Sequence, residues 1–250
     1  TFLTRNHDSN HARDAIRNAK AAGFDNISID LIFGLPEQTV TTWEQNIAEA
    51  LSFSPDHISV YNLTVEEKTY LSKLVQQKKV NVQDQETELE MFLNTILGLT
   101  QAGYEHYEIS NYAKPGFHSQ HNSSYWQGLS YVGLGPSAHS FDGVRRWWNV
   151  RDIRRYIEIL ETSNALPVDA TEELSVQQEC MEYIFLNLRK KEGLDIQEFE
   201  KIGGFSFVVK FKRALETSRE FIIQQDGRIR LSERGFFLYN KICEEFVAAL

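Results

Sequence analysis

The sequence predicts an α/β fold in its first half and a mainly helical domain in its second half, and two observations support this. Segments with strand periodicity alternate with segments of helix periodicity from the start to about residue 110. This order is typical of a parallel sheet covered by helices, either a barrel or a doubly wound sheet. After Asn149 helical patterns dominate. We therefore expect two domains, 1–149 and 150–250.

Local signals place the elements of the first half. Asp8 or Ser9 can cap the first helix, and Thr41 with Glu44 forms a capping-box pattern for the second. Apolar and polar residues alternate in the first strand, and Gly103 ends the third helix. The predicted elements are a helix ending at 23, strand 26–33, a helix opening near 41, strand 57–62, helix 84–101 and strand 104–109.

Polar loops leave the carboxyl ends of these strands. In parallel α/β folds such loops form the binding face, so Asp30 and the loops 34–38, 62–64 and 110–121 are expected on one side. Three strands cannot close a barrel, which needs roughly 200–250 residues. Because the chain also opens without Met in a helix-entry segment, we expect it to be part of a longer protein.

The second half predicts several helices and one hairpin. The hairpin turns at Asp226-Gly227, and Ser232 caps a last helix that runs to about 247. The other predicted helices are 150–161, 175–190, 195–201 and 207–218, with a turn-rich linker at 164–171. Three helices, a hairpin and a closing helix resemble a winged-helix domain.

Charge and cysteine usage exclude some classes of protein. The net charge is −9, and residues 175–250 carry 12 Lys/Arg against 12 Asp/Glu, so no basic footprint for nucleic acid exists. Cys180 and Cys243 are far apart in apolar contexts, which predicts small buried thiols rather than a zinc or iron–sulfur site. No membrane-spanning run or signal peptide is visible, and we expect a cytoplasmic, reducing location.

The segment 119–126, Ser-Gln-His-Asn-Ser-Ser-Tyr-Trp, is the most informative part of the chain. It shows no helix or strand pattern, so we expect a loop, and loops of this composition usually carry function. An imidazole, an amide and two aromatic rings suit a flat, partly apolar ligand. The competing interpretation is that His121, Asn122 and Trp126 form a buried, hydrogen-bonded turn.

Four ordered motifs then point to a family. They are Ser-Ile-Asp-Leu-Ile-Phe-Gly-Leu-Pro-Glu-Gln-Thr at 28–39, Ser-Val-Tyr-Asn at 59–62, Gly-Tyr-Glu-x-Tyr-Glu-x-Ser-x-Tyr-Ala-Lys-Pro-Gly at 103–116 and His-Asn-x-x-Tyr-Trp at 121–126. With them, essentially the whole chain resembles the oxygen-independent coproporphyrinogen III oxidase (HemN) family, and most of all its haem-chaperone branch, HemW.

The resemblance implies a radical S-adenosylmethionine protein. Members carry a partial TIM-like barrel whose Cys-x-x-x-Cys-x-x-Cys loop binds a [4Fe–4S] cluster, and the open iron takes S-adenosylmethionine. This chain has no such loop. We therefore expect it to hold the later strands of the barrel and the C-terminal domain, and not to reduce S-adenosylmethionine by itself.

Two residues are assigned to S-adenosylmethionine by this resemblance. Arg5 and Asp30 fall where HemN-type proteins place an arginine and an aspartate that contact it. A guanidinium can hold a carboxylate, and a carboxylate can accept from ribose hydroxyls or an ammonium group. On residue type alone, Asp30 is also a candidate helix cap or ion-pair partner.

Four residues are assigned to haem by the resemblance. His121, Asn122, Tyr125 and Trp126 form the motif that HemW-type proteins are thought to use and the oxidase branch lacks. His121 is the expected axial ligand of the haem iron, and the two aromatic residues can flank the porphyrin. His139 is a candidate second ligand or a structural donor.

Arg145 and Arg146 precede two tryptophans, Trp147 and Trp148. These arginines could pair with haem propionates. We favour the other interpretation, a solvated strand edge anchored by the aromatic side chains.

The resulting hypothesis is a haem-binding chaperone. The longer protein would use S-adenosylmethionine and the cluster, would dimerise or dock on a membrane-associated partner, and would deliver haem to an apo-haemoprotein. No nucleic acid partner and no catalytic residue are expected. The alternative is an oxidase that decarboxylates two propionates of coproporphyrinogen III.

Overall fold

The computed structural model describes residues 8–163 and 165–250, so Arg5 lies outside the described residues. It divides into two compact units, Thr1–Ser119 and Gln120–Leu250. The division precedes the predicted domain boundary after residue 149, because residues 120–149 pack with elements that follow them.

The first unit is a mixed α/β structure. Its elements are α1 Ser9–Ala21, β1 Ser28–Phe33, α2 Val40–Ser52, β2 His57–Asn62, α3 Tyr70–Gln76, α4 Gln85–Gln101, β3 Glu105–Glu108 and β4 Asn111–Ala113. Asp8 caps α1 as predicted, whereas α2 is capped by Thr39 rather than Thr41. Thr42 completes that capping box in place of Glu44, so α2 begins two residues earlier than its sequence pattern indicates.

The sheet of the first unit has the strand order β1-β2-β4-β3. β1 and β2 are parallel, but β4 is antiparallel to both β2 and β3. The predicted parallel sheet is therefore confirmed for β1 and β2 only, and part of the loop predicted after 109 is a strand. Only Ile109 and Ser110 separate β3 from β4, and so short a connection permits only a hairpin.

One face of this sheet is apolar and packs on α2 and α4. Phe33, Ile58 and Tyr112 are buried there. The indole of Trp43 on α2 lies 5.7 Å from the Phe33 ring, and its Nε1 donates to the Thr95 hydroxyl on α4 at 2.9 Å. This packing leaves the alternate, polar positions of the strands on the opposite face.

The second unit contains two small antiparallel sheets and most of the helices. Its elements are α5 Gln120–Trp126, β5 His139–Phe141, β6 Arg145–Asn149, α6 Ile153–Thr162, β7 Val168–Glu173, α7 Val176–Leu188, β8 Leu194–Asp195, α8 Ile196–Gly203, α9 Phe207–Lys210, α10 Lys212–Thr217, β9 Ile222–Gln225, β10 Arg228–Leu231, α11 Glu233–Phe237 and α12 Tyr239–Val247.

The sheets have the orders β5-β6-β7 and β8-β10-β9. The predicted hairpin through Asp226-Gly227 is confirmed as β9 and β10. The predicted linker at 164–171 is wrong in part, because β7 pairs with β6. The helices predicted at 207–218 and after Ser232 are each interrupted, at Phe211 and at Leu238.

Aromatic rings form the core of the second unit. Phe199, Phe207, Phe211 and Phe246 are fully buried, with ring centroids 4.6 to 5.8 Å apart in the contacting pairs. Helix α7 packs against α8 and α12 beside them. α7 is therefore a central helix of this unit, in contact with α5, α8, α12, β8 and β10.

Gly193 is expected to be indispensable for the strand pair β8–β10. Its φ is +74°, and an added Cβ would lie 2.2 Å from the carbonyl oxygen of Ile229. Gly193→Ala should cost the left-handed strain of roughly 1–2 kcal/mol and a further backbone shift. Gly204→Ala is the matched control, because its φ is +71° and no atom lies within 4 Å. Urea unfolding measures the free energy of unfolding of each variant, and equal losses for the two would contradict this account.

Candidate functional site

The segment 119–126 is not the loop that its sequence predicts, since Gln120–Trp126 form helix α5. Serine, asparagine, histidine and aromatic residues have weak helix propensity, so the sequence carries no helix signal. Packing of α5 on α7 supplies the stabilisation instead. The helix places His121 and Tyr125, four residues apart, on one face.

His121 is exposed at the start of a row of aromatic rings. Its imidazole meets the Tyr125 ring edge-on, with centroids 4.9 Å apart. Tyr125 meets Tyr131 in the same way at 4.9 Å, and Tyr131 lies 6.2 Å from Phe141. The helix thus connects an accessible imidazole to a set of packed aromatic side chains.

The ring of Trp126 lies 6.5 Å from that of Tyr125 and is contacted by Arg189. The guanidinium carbon of Arg189 lies 3.6 Å from the centroid of the indole, a close cation–π contact. The Nε1 atom of Trp126 is buried and has no hydrogen-bond partner among residues 8–163 and 165–250. Asn122 is half-buried on the same helix.

A cavity of about 420 Å³ lies beside Tyr125. Its wall is largely aromatic and aliphatic, with the carboxylates of Glu179 and Glu182 from α7. The residues that define its chemistry are Tyr125, Tyr131, Phe141, Arg146, Leu186 and Ile202, together with the two glutamates. Its size is within the range of small-molecule sites.

Arg146 is not on a solvated strand edge, because β6 is the middle strand of its sheet. Its guanidinium donates to both carboxylate oxygens of Glu182, at 2.7 and 2.9 Å, and lies 3.6 Å from Glu172. The hydrogen bonds that it donates to Glu182 raise the pKa of Arg146 above its ordinary value. The donors of this arginine are thus directed towards acidic side chains.

His139 and His118 are engaged in separate contacts. His139 is exposed and stacks on Trp148 of the neighbouring strand, with ring centroids 5.5 Å apart. His118 belongs to the first unit, where it stacks on Tyr107 at 4.2 Å and pairs with Glu105 at 2.7 Å. Both histidines therefore have structural neighbours in the chain.

The polar face of the first unit carries a hydrogen-bonded chain that sequence reasoning missed. Ser28 is bonded to Nδ1 of His57 at 2.9 Å, and Nε2 of His57 to the Tyr107 hydroxyl at 2.7 Å. Burial lowers the pKa of His57 and raises the pKa of Tyr107 to about 12. The sequence does indicate that His57 and Ser59 share a polar face, because they alternate with the apolar Ile58 and Val60.

Asp30 lies on the same face, exposed, and pairs in register with Ser59. It is close enough to His57 to oppose the lowering of the histidine pKa. The fully buried Glu108 accepts from the Ser110 amide at 3.0 Å and from the Asn111 side chain. On this face the carboxylate of Asp30 is exposed to a polar ligand, whereas His57 and Glu108 are buried and hydrogen-bonded within the chain.

The two cysteines are buried side chains. Cys180 and Cys243 are both buried free thiols, and burial raises the pKa of each, that of Cys243 to about 12. No group of three or more histidine, cysteine or acidic side chains there could hold a metal ion. None of the helices in those residues is long and apolar enough to cross a bilayer.

Comparison with known proteins gives concordant matches. The HemN C-terminal domain family matches residues 174–238. The chain is 34% identical over 250 residues to the heme chaperone HemW of Bacillus subtilis, covering 99% of this chain and 66% of that protein. It is 30% identical to HemW of Lactococcus lactis, covering 98% and 64%.

Two further matches extend this picture. The mitochondrial radical S-adenosyl methionine domain-containing protein 1 of Danio rerio is 30% identical, with 96% of this chain and 57% of that protein covered. The solved structure of coproporphyrinogen III oxidase HemN from Escherichia coli, a radical SAM enzyme, superposes with a TM-score of 0.70 at 22% identity. It covers 100% of this chain and 61% of that chain, and it establishes a shared fold. The chain thus spans about two thirds or less of each protein named here.

Acidification is expected to destabilise the first unit through His57. Its pKa is lowered in the fold, so below the unfolded value of about 6.5 the unfolded chain binds more protons. The free energy of unfolding should be at its full value above about pH 6.5. It should fall as the pH drops towards the lower pKa that His57 has in the folded state. Hydrogen exchange of the Ile58 and Val60 amides at about pH 7.5 and 5.5 measures this.

His57→Gln should remove most of that pH dependence, since glutamine does not titrate. His11→Gln is the control, because His11 is an exposed histidine of the same unit. An unchanged acid loss in His57→Gln would show that another group is responsible.

Proposed function

We propose a haem-chaperone function for this chain, because it belongs to the HemW family of HemN-like radical SAM proteins. The observation that carries the proposal is the arrangement of the His-Asn-x-x-Tyr-Trp motif on helix α5. It presents the exposed imidazole of His121 edge-on to Tyr125, at the rim of an aromatic cavity. An imidazole and packed aromatic rings are the groups that bind haem iron and flank a porphyrin.

His121 is the proposed axial ligand of the haem iron. Within the described residues no hydrogen bond of its imidazole nitrogens is found, and its backbone carbonyl oxygen accepts one from the Ser124 hydroxyl at 2.7 Å. A histidine that served to hold a turn together would use its ring nitrogens for that purpose. The exposed ring is therefore better suited to a ligand than to a structural role.

The other motif residues have distinct proposed roles. Tyr125 flanks the porphyrin from the rim of the cavity. Trp126 has one face covered by Arg189, so it contributes its remaining edge and positions the helix. Asn122, half-buried next to His121, completes the proposed haem contact.

The first unit is the proposed site of S-adenosylmethionine. Asp30 is a carboxylate exposed on the polar sheet face, and it suits a ribose hydroxyl or an ammonium group. The radical SAM relationship implies S-adenosylmethionine and a [4Fe–4S] cluster in the longer protein. Cys180 and Cys243 are both buried, and they lie far apart in the sequence. We therefore assign no cluster ligand to this chain.

The wider proposal follows the family. Residues 1–149 would form the later part of a TIM-like barrel, and 150–250 a winged-helix-like C-terminal domain. The longer protein would act in the cytoplasm, as a homodimer or on a membrane-associated partner, and hand haem to an apo-haemoprotein.

Haem titration of His121→Ala tests the assignment of the iron ligand. Loss of the axial ligand should weaken binding at least about tenfold and change the Soret spectrum, because the iron–imidazole bond is the strongest contact proposed. His11→Ala, which removes another exposed histidine, should bind as the unchanged chain does. Equal affinity and equal spectra for His121→Ala would overturn the role of His121.

Assays of haem binding and of coproporphyrinogen III conversion, on the full-length protein with its cluster reconstituted, distinguish a chaperone from an oxidase. A chaperone should bind haem and leave coproporphyrinogen III unchanged. Formation of protoporphyrinogen together with absence of haem binding would refute the chaperone proposal.

A further inference from the structure

The aromatic cavity beside α5 carries information about how a porphyrin would be oriented. Haem has two chemically different edges, one with vinyl and methyl groups and one with two propionates. We propose that the cavity receives the vinyl edge of haem and leaves the propionates in solvent. This inference rests on the haem-binding function proposed above.

The shape and composition of the wall favour an apolar edge. Tyr125, Tyr131 and Phe141 form one side, and the aliphatic side chains of Leu186 and Ile202 are also exposed to the cavity. Each buried methylene-sized group contributes about 0.8 kcal/mol in such surroundings. Vinyl and methyl groups would therefore gain affinity on entering the cavity.

The charges of the wall disfavour a propionate. Two carboxylates, Glu179 and Glu182, line the cavity, and Arg146 is the only arginine or lysine among its lining residues. Arg146 already donates to both oxygens of Glu182 at 2.7 and 2.9 Å. A propionate that approached Arg146 would come close to the carboxylate of Glu182 and to that of Glu172, which lies 3.6 Å from the guanidinium, so like charges would meet in a partly enclosed space.

The position of Tyr125 connects the cavity to the proposed iron ligand. Its ring lies in the cavity wall and meets the His121 ring 4.9 Å away. A planar ligand inserted by one edge would therefore have its centre displaced towards α5. The opposite edge, which carries the propionates in haem, would remain outside.

Specificity among tetrapyrroles follows from this orientation. A tetrapyrrole that carries propionates on both edges, as coproporphyrin III does, would have to bring a carboxylate next to Glu179 and Glu182. The same wall that accepts a vinyl edge should therefore reject a four-propionate ligand.

A series of iron porphyrins tests the orientation without altering the protein. Deuterohaem, which has hydrogen in place of each vinyl, should bind at least about tenfold more weakly than protohaem. Protohaem dimethyl ester should bind as protohaem does, because its propionates lie outside. Coprohaem III, with four propionates, should bind at least about tenfold more weakly.

A variant that fills the cavity provides the second measurement. Leu186→Trp should weaken protohaem binding about tenfold or more and remove the preference for protohaem over deuterohaem. Leu160→Trp is the matched control, because Leu160 is an exposed leucine of α6 in the same unit and does not line the cavity. It should retain both the affinity and the preference.

The outcomes separate the two levels of the proposal. If no iron porphyrin binds, the haem-chaperone function fails. If protohaem binds but the dimethyl ester is weakened and deuterohaem is not, haem binding stands and the orientation is overturned. Retention of the vinyl preference in Leu186→Trp would likewise place the vinyl edge elsewhere.

Discussion

The second unit depends on the bidentate ion pair between Arg146 and Glu182. This pair joins the middle strand of the β5-β6-β7 sheet to the central helix α7, two elements that meet at the aromatic cavity. Because both side chains are about one quarter exposed, the pair stabilises the fold less than a fully buried pair would. Its larger effect is on geometry, since a planar guanidinium forked onto a carboxylate fixes both distance and angle.

In the first unit, the two faces of the sheet differ in polarity. Helices cover the apolar face, while the other face carries Asp30 in register with Ser59 and Ser28 in register with His57. Hydrogen bonds to Ser28 and Tyr107 satisfy both nitrogens of the buried imidazole. A polar face that is internally bonded can be partly buried without loss of stability and still present a carboxylate to a ligand.

Local signals explain which features the sequence could predict. Caps at Asp8 and Ser232 and the turn at Asp226-Gly227 each involve neighbouring residues, and the structure has all of them. Helix α5 and strand β7 could not be predicted, because each is stabilised by a partner distant in sequence. The bond between His57 and Tyr107 joins residues 50 positions apart, and no periodicity encodes it.

The candidate site, too, could be predicted from the sequence only in part. Residue types indicated only a flat, partly apolar ligand, and the resemblance to the HemN family then assigned haem to His121 and Tyr125. The cavity could not be foreseen, since its wall combines side chains from α5, β5, β6, α7 and α8. Only the fold reveals that the guanidinium of Arg146 is already hydrogen-bonded to the carboxylate of Glu182.

The dependence of α5 on α7 has a kinetic consequence. A seven-residue helix of weak formers would not persist alone, so its order is supplied by folding of the unit and is present before any ligand arrives. A ligand that meets such a surface need not order the chain, and its departure need not disorder it. For the proposed haem carrier, exchange can then be as fast as the proposed bond between iron and protein ligand allows, without waiting for local refolding.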